Sequence, residues 1–238
     1  MNHLHFKEID STNAYLSDHY SELEDMTVVT TDYQTNGKGR MNRTWYGDES
    51  SILCSILLKD NLNDIEISLI PLLIAKSLHQ VLSKYLDNIK IKWPNDLLVD
   101  NHKLSGILIN SIISSSEVKA LIIGFGINVN QKQFDEEISE IATSLALKTD
   151  RVYDKDEILN NLLMQIKNDL KTFGENKQDI IDYCNRHSSI TNKEITFIRS
   201  NKAYKGIALG IQENGHLLVK SGKETFTINS GEITLSTE

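Results

Sequence analysis

Gln34-Thr35-Asn36-Gly37-Lys38-Gly39-Arg40-Met41-Asn42-Arg43-Thr44-Trp45 is the stretch on which the reading of this chain turns. It follows Thr27-Val28-Val29-Thr30-Thr31, which is β-branched throughout and so reads as a buried strand. A loop at the end of that strand therefore concentrates the cations Lys38, Arg40 and Arg43 with the glycines Gly37 and Gly39 and the flat ring of Trp45. Glycines let backbone N–H groups approach an anion, arginines fork onto phosphate or carboxylate oxygens, and an indole offers a face to a purine. The loop is not a P-loop, because no Gly-Lys-Ser/Thr closes it. Nor is it the dinucleotide fingerprint, because Asn42 stands where the third glycine belongs. Taken alone, a basic glycine-rich loop is equally the description of a solvated turn.

Working outward, Ser11-Thr12-Asn13 places hydroxyl and amide groups where helix N-caps sit, ahead of Ala14, Tyr15 and Leu16, so a first helix is expected from about Ser11. Downstream, Ser51 to Leu58 reads as an apolar strand. Ile65 to Leu86 reads as a helix, with Pro71 tolerated in its first turn or at a kink. Short strands are expected at Ile89 to Trp93, Leu97 to Val99, Leu104 to Ile113 and Val118 to Phe125, with a turn at Asp100-Asn101-His102. This succession favours an antiparallel or mixed sheet. Asp154 to Phe173 and Gln178 to Asn185 carry helical periodicity. After Ser188 the pattern changes to brief alternating segments at Glu194 to Arg199, Lys205 to Ile211, His216 to Lys220, Glu224 to Asn229 and Glu232 to Leu235. Their joints are Asn214-Gly215, Ser221-Gly222 and Ser230-Gly231. About five strands in so short a tail suggest a small β-barrel.

The chain has 238 residues, 39% of them hydrophobic, which is enough for one full-sized core and a small appended domain. With 25 Lys and Arg against 33 Asp and Glu, the net charge of −8 argues against nucleic acid as the main partner. Cys54 and Cys184 show no metal or redox spacing and read as reduced thiols. The seven histidines are scattered without ligand spacing and receive no catalytic role. The N-terminus lacks the pattern of a secretory signal, and the apolar run near Leu69 to Leu78 is too short to span a bilayer. The expected location is the cytoplasm, with no membrane partner.

Three further segments carry chemistry. Lys92-Trp93-Pro94-Asn95-Asp96 ends a strand with a cation, a rigid proline and two side chains able to organise magnesium, a nucleotide or a neighbouring loop, although it is also an ordinary Pro-Asn-Asp turn. Lys103-Leu104-Ser105-Gly106 sets a lysine among apolar neighbours, where its ammonium is held partly dry unless it is simply solvated. Gly124-Phe125-Gly126-Ile127-Asn128 closes a strand with two glycines, marking either close approach of a ligand or a β-bulge, and Asn128 is suited to bonding ribose or phosphate.

In order, type and approximate spacing these segments resemble those of the biotin protein ligases, and the resemblance runs from about His5 to Leu235. It implies an α+β fold: a mixed sheet with helices, like the class II aminoacyl-tRNA synthetases and biotin ligases, followed by a small SH3-like β-barrel. Residues 1–187 would form the catalytic biotin- and ATP-binding domain and 188–238 the C-terminal domain. Biotin and ATP would be substrates, with magnesium. The resemblance places Ser11, Thr12, Asn13, Gln34, Gly37, Lys38, Gly39, Lys103 and Gly106 around biotin. It places Arg40, Arg43, Trp45, Asn95, Lys103, Gly126 and Asn128 around the adenylate. Arg40 is the loop arginine on phosphate and carboxylate, Arg43 a second anion contact, Trp45 a surface for adenine, and Lys103 the bridge between carboxylate and α-phosphate. Asp96 is the candidate for magnesium. Lys38, Met41, Asn42 and Thr44 depart from the commonest form of the loop, and Met41 removes a charge.

The implied partner is the biotin carboxyl carrier domain of biotin-dependent carboxylases, and the implied assembly a homodimer. A lipoate protein ligase is the nearest rival, since it applies the same adenylation logic to an acid with no ureido ring. A non-catalytic binder of biotinyl-adenylate is another. A repressor form with an N-terminal DNA-binding domain is not expected, because the motifs begin by Ser11.

Overall fold

The computed structural model describes residues 1–60, 62, 65–199, 202–229, 231 and 233–235, the side chains of Asn42 and Leu235 excepted. Ser230 and Glu232, which figure in the expected last turn and strand, lie outside the described residues. A seven-stranded sheet runs β1 (His3–Ile9), β2 (Val28–Gln34), β3 (Ser51–Leu58), β7 (Glu117–Asn128), β6 (His102–Ser114), β5 (Asp96–Val99) and β4 (Lys90–Lys92). The β1–β2 pair is parallel and the other pairs are antiparallel, so the sheet is mixed, as expected. β1 was not anticipated. Its alternation rests on two large apolar residues, Leu4 and Phe6, which pack beside α1 (Thr12–His19). Polar His3, His5 and Lys7 between them dilute the signal.

Strand alternation assigns the two faces. Val28, Ile52, Cys54, Ile56, Leu121, Ile123, Phe125 and Ile127 enter the main core with α2 (Ile70–Leu82), α5 (Lys155–Lys171) and α6 (Lys177–Arg186). Val29, Leu57, Ala120 and Ile122 point the other way, onto Leu16 of α1. The helix expected over Ile65 to Leu86 is shorter because Pro71 occupies its first turn; a 3-10 turn at Ile67–Leu69 precedes it. Asp154 caps α5, accepting from the N–H groups of Asp156 and Glu157 at 2.9 and 3.1 Å. Two short helices, α3 (Glu136–Ser139) and α4 (Leu145–Thr149), were not foreseen.

The C-terminal residues form a five-stranded antiparallel sheet in the order β11 (Glu224–Ile228), β10 (Leu217–Ser221), β9 (Lys202–Ile211), β8 (Glu194–Arg199) and β12 (Ile233–Leu235). Ile195, Phe197, Ala208, Val219 and Ile228 are buried within it. Among the described residues β11 and β12 do not pair, so the expected barrel is an open one. The turn between β9 and β10 pegs this sheet to the larger one. The Trp93 indole donates to the carbonyl of Gly215 at 2.9 Å, and Ser68 donates to that of Asn214 at 2.9 Å. Gly215 has φ +78, and a Cβ there would lie 2.9 Å from Leu69. Asn185 adds a two-point clasp on Ile211, accepting from its N–H at 2.7 Å and donating to its carbonyl at 3.0 Å.

His79 lies under this junction. Its Nε2 sits 3.0 Å from the Ile89 carbonyl and its Nδ1 2.8 Å from the Tyr183 hydroxyl, partners that fit a neutral ring with the proton on Nε2. The His187 ring packs against it at 4.3 Å. Burial above all, with His187 and Lys90 nearby, pushes the His79 pKa down from 6.5 to about 4, against the opposing pull of the Ile89 carbonyl. A histidine depressed on folding contributes stability above its unfolded pKa and loses it as pH falls toward the folded one. Thermal melts are therefore expected to show a loss of up to about 2 kcal/mol between pH 6.5 and 4, after allowance for solvent screening. His79→Gln should flatten that slope, and an unchanged slope would exclude His79 as its source.

Candidate active site

Beyond α1, the β7 residues on the helix's face of the sheet become small. On β7 the large residues Ile123, Phe125 and Ile127 go to the core, while Gly124, Gly126 and Asn128 continue the α1 face. Register brings Ser55 of β3 opposite Gly124, and Leu108 and Gly106 of β6 opposite Gly124 and Gly126. On β7 itself only glycines stand on this face between Ile122 and Asn128, so side chains from elsewhere lie over it. A Cβ on Gly124 would lie 2.1 Å from Asn13 Oδ1, and one on Gly126 would lie 2.3 Å from the Trp45 ring. The paired glycines thus mark close approach of side chains; the register of β7 is regular there, with no bulge.

At the α1 end lies an uncharged polar floor. Ser11 caps α1, its hydroxyl accepting from Ala14 N–H at 3.4 Å. Gln34 Oε1 accepts from the Thr12 N–H at 2.8 Å and the Thr12 hydroxyl at 3.1 Å. Its Nε2 has no protein partner among the described residues and borders Gly37, where a Cβ would lie 3.0 Å away. Asn13 donates to Asn110 Oδ1 at 2.8 Å. The fully buried Ser55 hydroxyl donates to Asn13 Oδ1 at 2.5 Å or to Thr12 Oγ1 at 2.7 Å. Sequence reading missed Ser55 and Asn110. The signal for Ser55 was there: a serine inside an otherwise apolar strand needs a buried partner.

The Gly37 to Trp45 loop is closed by backbone pairing across its base. Trp45 N–H donates to Gly37 carbonyl at 3.0 Å, Lys38 bridges Thr44, and Gly39 N–H donates to Arg43 carbonyl at 2.7 Å. At the tip Met41 is 72% exposed and adopts φ +55, a left-handed conformation that costs a non-glycine residue about 1 kcal/mol. Arg43 is exposed at the loop's exit. Arg40 turns inward and donates to Asn95 Oδ1 at 2.9 Å and to the Gly231 carbonyl of the C-terminal sheet at 3.4 Å. Asn95 in turn donates to the Ile107 carbonyl at 2.8 Å, so a fixed amide aims the guanidinium. Trp45 lies across Gly106 and Gly126, and its buried Nε1 has no hydrogen-bond partner among the described residues.

Lys103 stands beside that ring, its Nζ 5.5 Å from the ring centroid, and pairs with Asp96 at 2.8 Å; its side chain is 36% exposed. The two residues read separately in the sequence therefore act together, the carboxylate aiming the ammonium. Asn128 is buried and donates to the carbonyls of Thr143 at 3.0 Å and Lys103 at 3.3 Å, while accepting from Gln131 at 3.3 Å. In this arrangement its side chain holds the Lys103 strand. The described residues contain no group of three or more His, Cys, Asp or Glu side chains that could hold a metal. Magnesium borne on nucleotide phosphates needs only one or two protein carboxylates, and Asp96 supplies one, so the residues fit that mode.

An uncharged hydrogen-bonding floor beside Lys103 and Arg40 is chemically suited to a small polar acid together with a second anionic group. Comparison with known proteins names the class. The family model described as Biotin/lipoate A/B protein ligase matches residues 5–128, more than half the chain, and the model of the Biotin protein ligase C terminal domain matches residues 190–236. The chain belongs to this ligase family.

Among its relatives, the bifunctional ligase/repressor BirA of Bacillus subtilis is 31% identical over 88% of this chain, which spans 66% of that protein's length. The biotin–[acetyl-CoA-carboxylase] ligase of Mycobacterium tuberculosis is 25% identical, over 94% of this chain and 85% of its own. The solved biotin protein ligase from Aquifex aeolicus, in complex with biotin and ATP, superposes with a TM-score of 0.88 at 30% identity, covering 100% of this chain and 99% of its own. No helix among the described residues is long and apolar enough to cross a membrane.

Proposed function

We propose that this protein adenylates biotin with ATP and transfers the biotinyl group to a lysine of a carboxylase carrier domain. The observation that carries the proposal is the order of polar groups along one face of the sheet: neutral donors and acceptors at the α1 end, Lys103 and Arg40 at the other. Biotin has the same polarity, a neutral ureido ring and a carboxylate. Gln34 Nε2, unpartnered among the described residues and beside Gly37, is placed to donate to the ureido oxygen. Thr12, Asn13 and Ser55 supply the remaining acceptors and donors. Lipoate offers no group to match this floor.

A carboxylate does not acylate an amine at neutral pH, so it must first become a good acyl donor. The carboxylate attacks the α-phosphorus of ATP and pyrophosphate leaves. Lys103 and Arg40, with Arg43 at the loop's exit, offset the charge that gathers there, and most of the acceleration is positioning. Magnesium bound with the nucleotide would add further charge neutralisation, with Asp96 as its protein ligand. Asn95 fixes Arg40, and Asp96 fixes Lys103. Trp45, across Gly106 and Gly126, walls the mixed anhydride from water while leaving a face for adenine. The neutral amine of the acceptor lysine then attacks the carbonyl and AMP departs. The cytoplasm, where the carboxylases reside, is the proposed site of action. A homodimer is part of the same reading and is testable by sedimentation with and without biotin.

Incubation with ATP, magnesium, biotin and a biotin carboxyl carrier domain is expected to give one biotin per carrier with pyrophosphate release, and replacing biotin by lipoate should abolish both. Folded protein that leaves the carrier unmodified, or that prefers lipoate, would overturn the proposal.

A further inference from the structure

Trp45 and Tyr46 are neighbours in the chain, yet their side chains go to different places. Trp45 goes into the cleft. The Tyr46 hydroxyl donates to Glu137 Oε2 on α3 at 2.6 Å, a charge-assisted bond between two segments 91 residues apart in sequence. The segment that contains α3 leaves β7 after Asn128 and returns to β6. There Lys103 N–H donates to the Ile141 carbonyl at 2.7 Å, and Thr143 N–H donates to the Lys103 carbonyl at 2.9 Å. Asn128 holds the carbonyl of Thr143 from the other side at 3.0 Å. Following these contacts gives a closed ring: the glycine loop to Tyr46, Tyr46 to Glu137, α3 to Lys103, and Lys103 back to the Trp45 face. Apart from Tyr46–Glu137, each link in this ring is backbone pairing or packing at the cleft itself.

We propose that Tyr46 and Glu137 form a strap that keeps the glycine loop and the α3 segment closed together over the acyl-adenylate between the two half-reactions. They are positioning residues: neither touches the reacting atoms. The strap's value comes from the chemistry of the intermediate. Biotin plus ATP gives biotinyl-AMP plus pyrophosphate; if the adenylate escapes, water attacks its carbonyl and returns biotin and AMP, wasting one ATP with no carrier modified. Releasing the loop from α3 opens one wall of the cleft without removing a cation, so the failure is leakage of the intermediate rather than loss of the first step.

The inference rests on the adenylation reading, and one experiment separates the two. The full-length protein is loaded with radiolabelled biotin and ATP, freed of excess nucleotide and chased with unlabelled biotinyl-AMP, and the loss of bound label is timed. Tyr46→Phe and Glu137→Ala are each expected to release the label about fivefold faster, the size appropriate to one exposed hydrogen bond. They should also raise the pyrophosphate formed per biotin transferred at limiting carrier. Glu137→Gln, which keeps an acceptor oxygen, should stay within about twofold of the parent. Equal release in Tyr46→Phe and the parent overturns the strap, as does leakage in Tyr46→Phe without leakage in Glu137→Ala. A parent protein that never accumulates biotinyl-AMP overturns the adenylation reading instead.

Discussion

Lys103→Ala is expected to lower kcat/KM for biotinyl-AMP formation by about 10²- to 10³-fold, the usual cost of removing one aimed charge from a developing anionic centre. Two features make this a catalytic loss rather than a folding one. The Lys103–Asp96 pair is partly solvated, with side-chain exposures of 36% and 19%, so its contribution to stability is at most about 1 kcal/mol. The backbone of Lys103 keeps its hydrogen bonds to Ile141 and Thr143 whatever its side chain. Pyrophosphate release under saturating ATP, with a thermal melt as control, checks both halves. A loss of less than about tenfold with an unchanged melt would remove Lys103 from the assigned role. Arg40→Ala should fall in the same range, and it should also free Asn95 and the Gly231 carbonyl, which the guanidinium now joins.

The second large effect comes from a single methyl group. Gly126→Ala places a Cβ 2.3 Å from the Trp45 ring, closer than real Cβ contacts come, and β7 cannot retreat because it is paired on both sides. The indole must leave. With it go the wall of the cleft and the aromatic neighbour of Lys103. The Kd for biotin is expected to rise by about two orders of magnitude, while overpacking costs the fold only about 1–3 kcal/mol because the core face of β7 is untouched. Gly174→Ala, where a Cβ meets nothing within 4 Å, is the control and should behave as the parent. Isothermal titration with biotin measures the difference, and an unchanged affinity in Gly126→Ala would mean that Trp45 contributes nothing to the site.

The sequence carried the fold's main segments because their signals are local. Ser51–Leu58 and Glu194–Arg199 fall where apolar runs and alternation place them, and Ser11 and Asp154 cap the helices they precede. Elements with little apolar surface, β1 and the short α3, left too weak a pattern. In the site, residue types pointed to the chemistry, but partnerships did not follow from type. Lys103 and Asp96 each looked like a ligand-binding group, and the fold pairs them. Asn128 looked exposed to a nucleotide, and the fold surrounds it with Thr143, Lys103 and Gln131. The partners of Ser55 needed the parity of β3 against β7, and Tyr46–Glu137 needed a loop and a distant helix to meet. The alternation Ile123-Gly124-Phe125-Gly126-Ile127 was the most informative pattern available: large residues on one side of a strand and glycines on the other describe a wall with a core behind it and a cleft in front.

The protein's two tryptophans occupy complementary places. Trp93 is sealed in the junction, its indole committed to the Gly215 carbonyl. Trp45 spans the cleft with its N–H unclaimed among the described residues. Nature has in effect installed two optical probes with separate duties. Emission from Trp93 should stay constant until the C-terminal sheet parts from the rest, while emission from Trp45 follows what enters the cleft. Intrinsic fluorescence can therefore follow occupancy and unfolding in one cuvette, without a label.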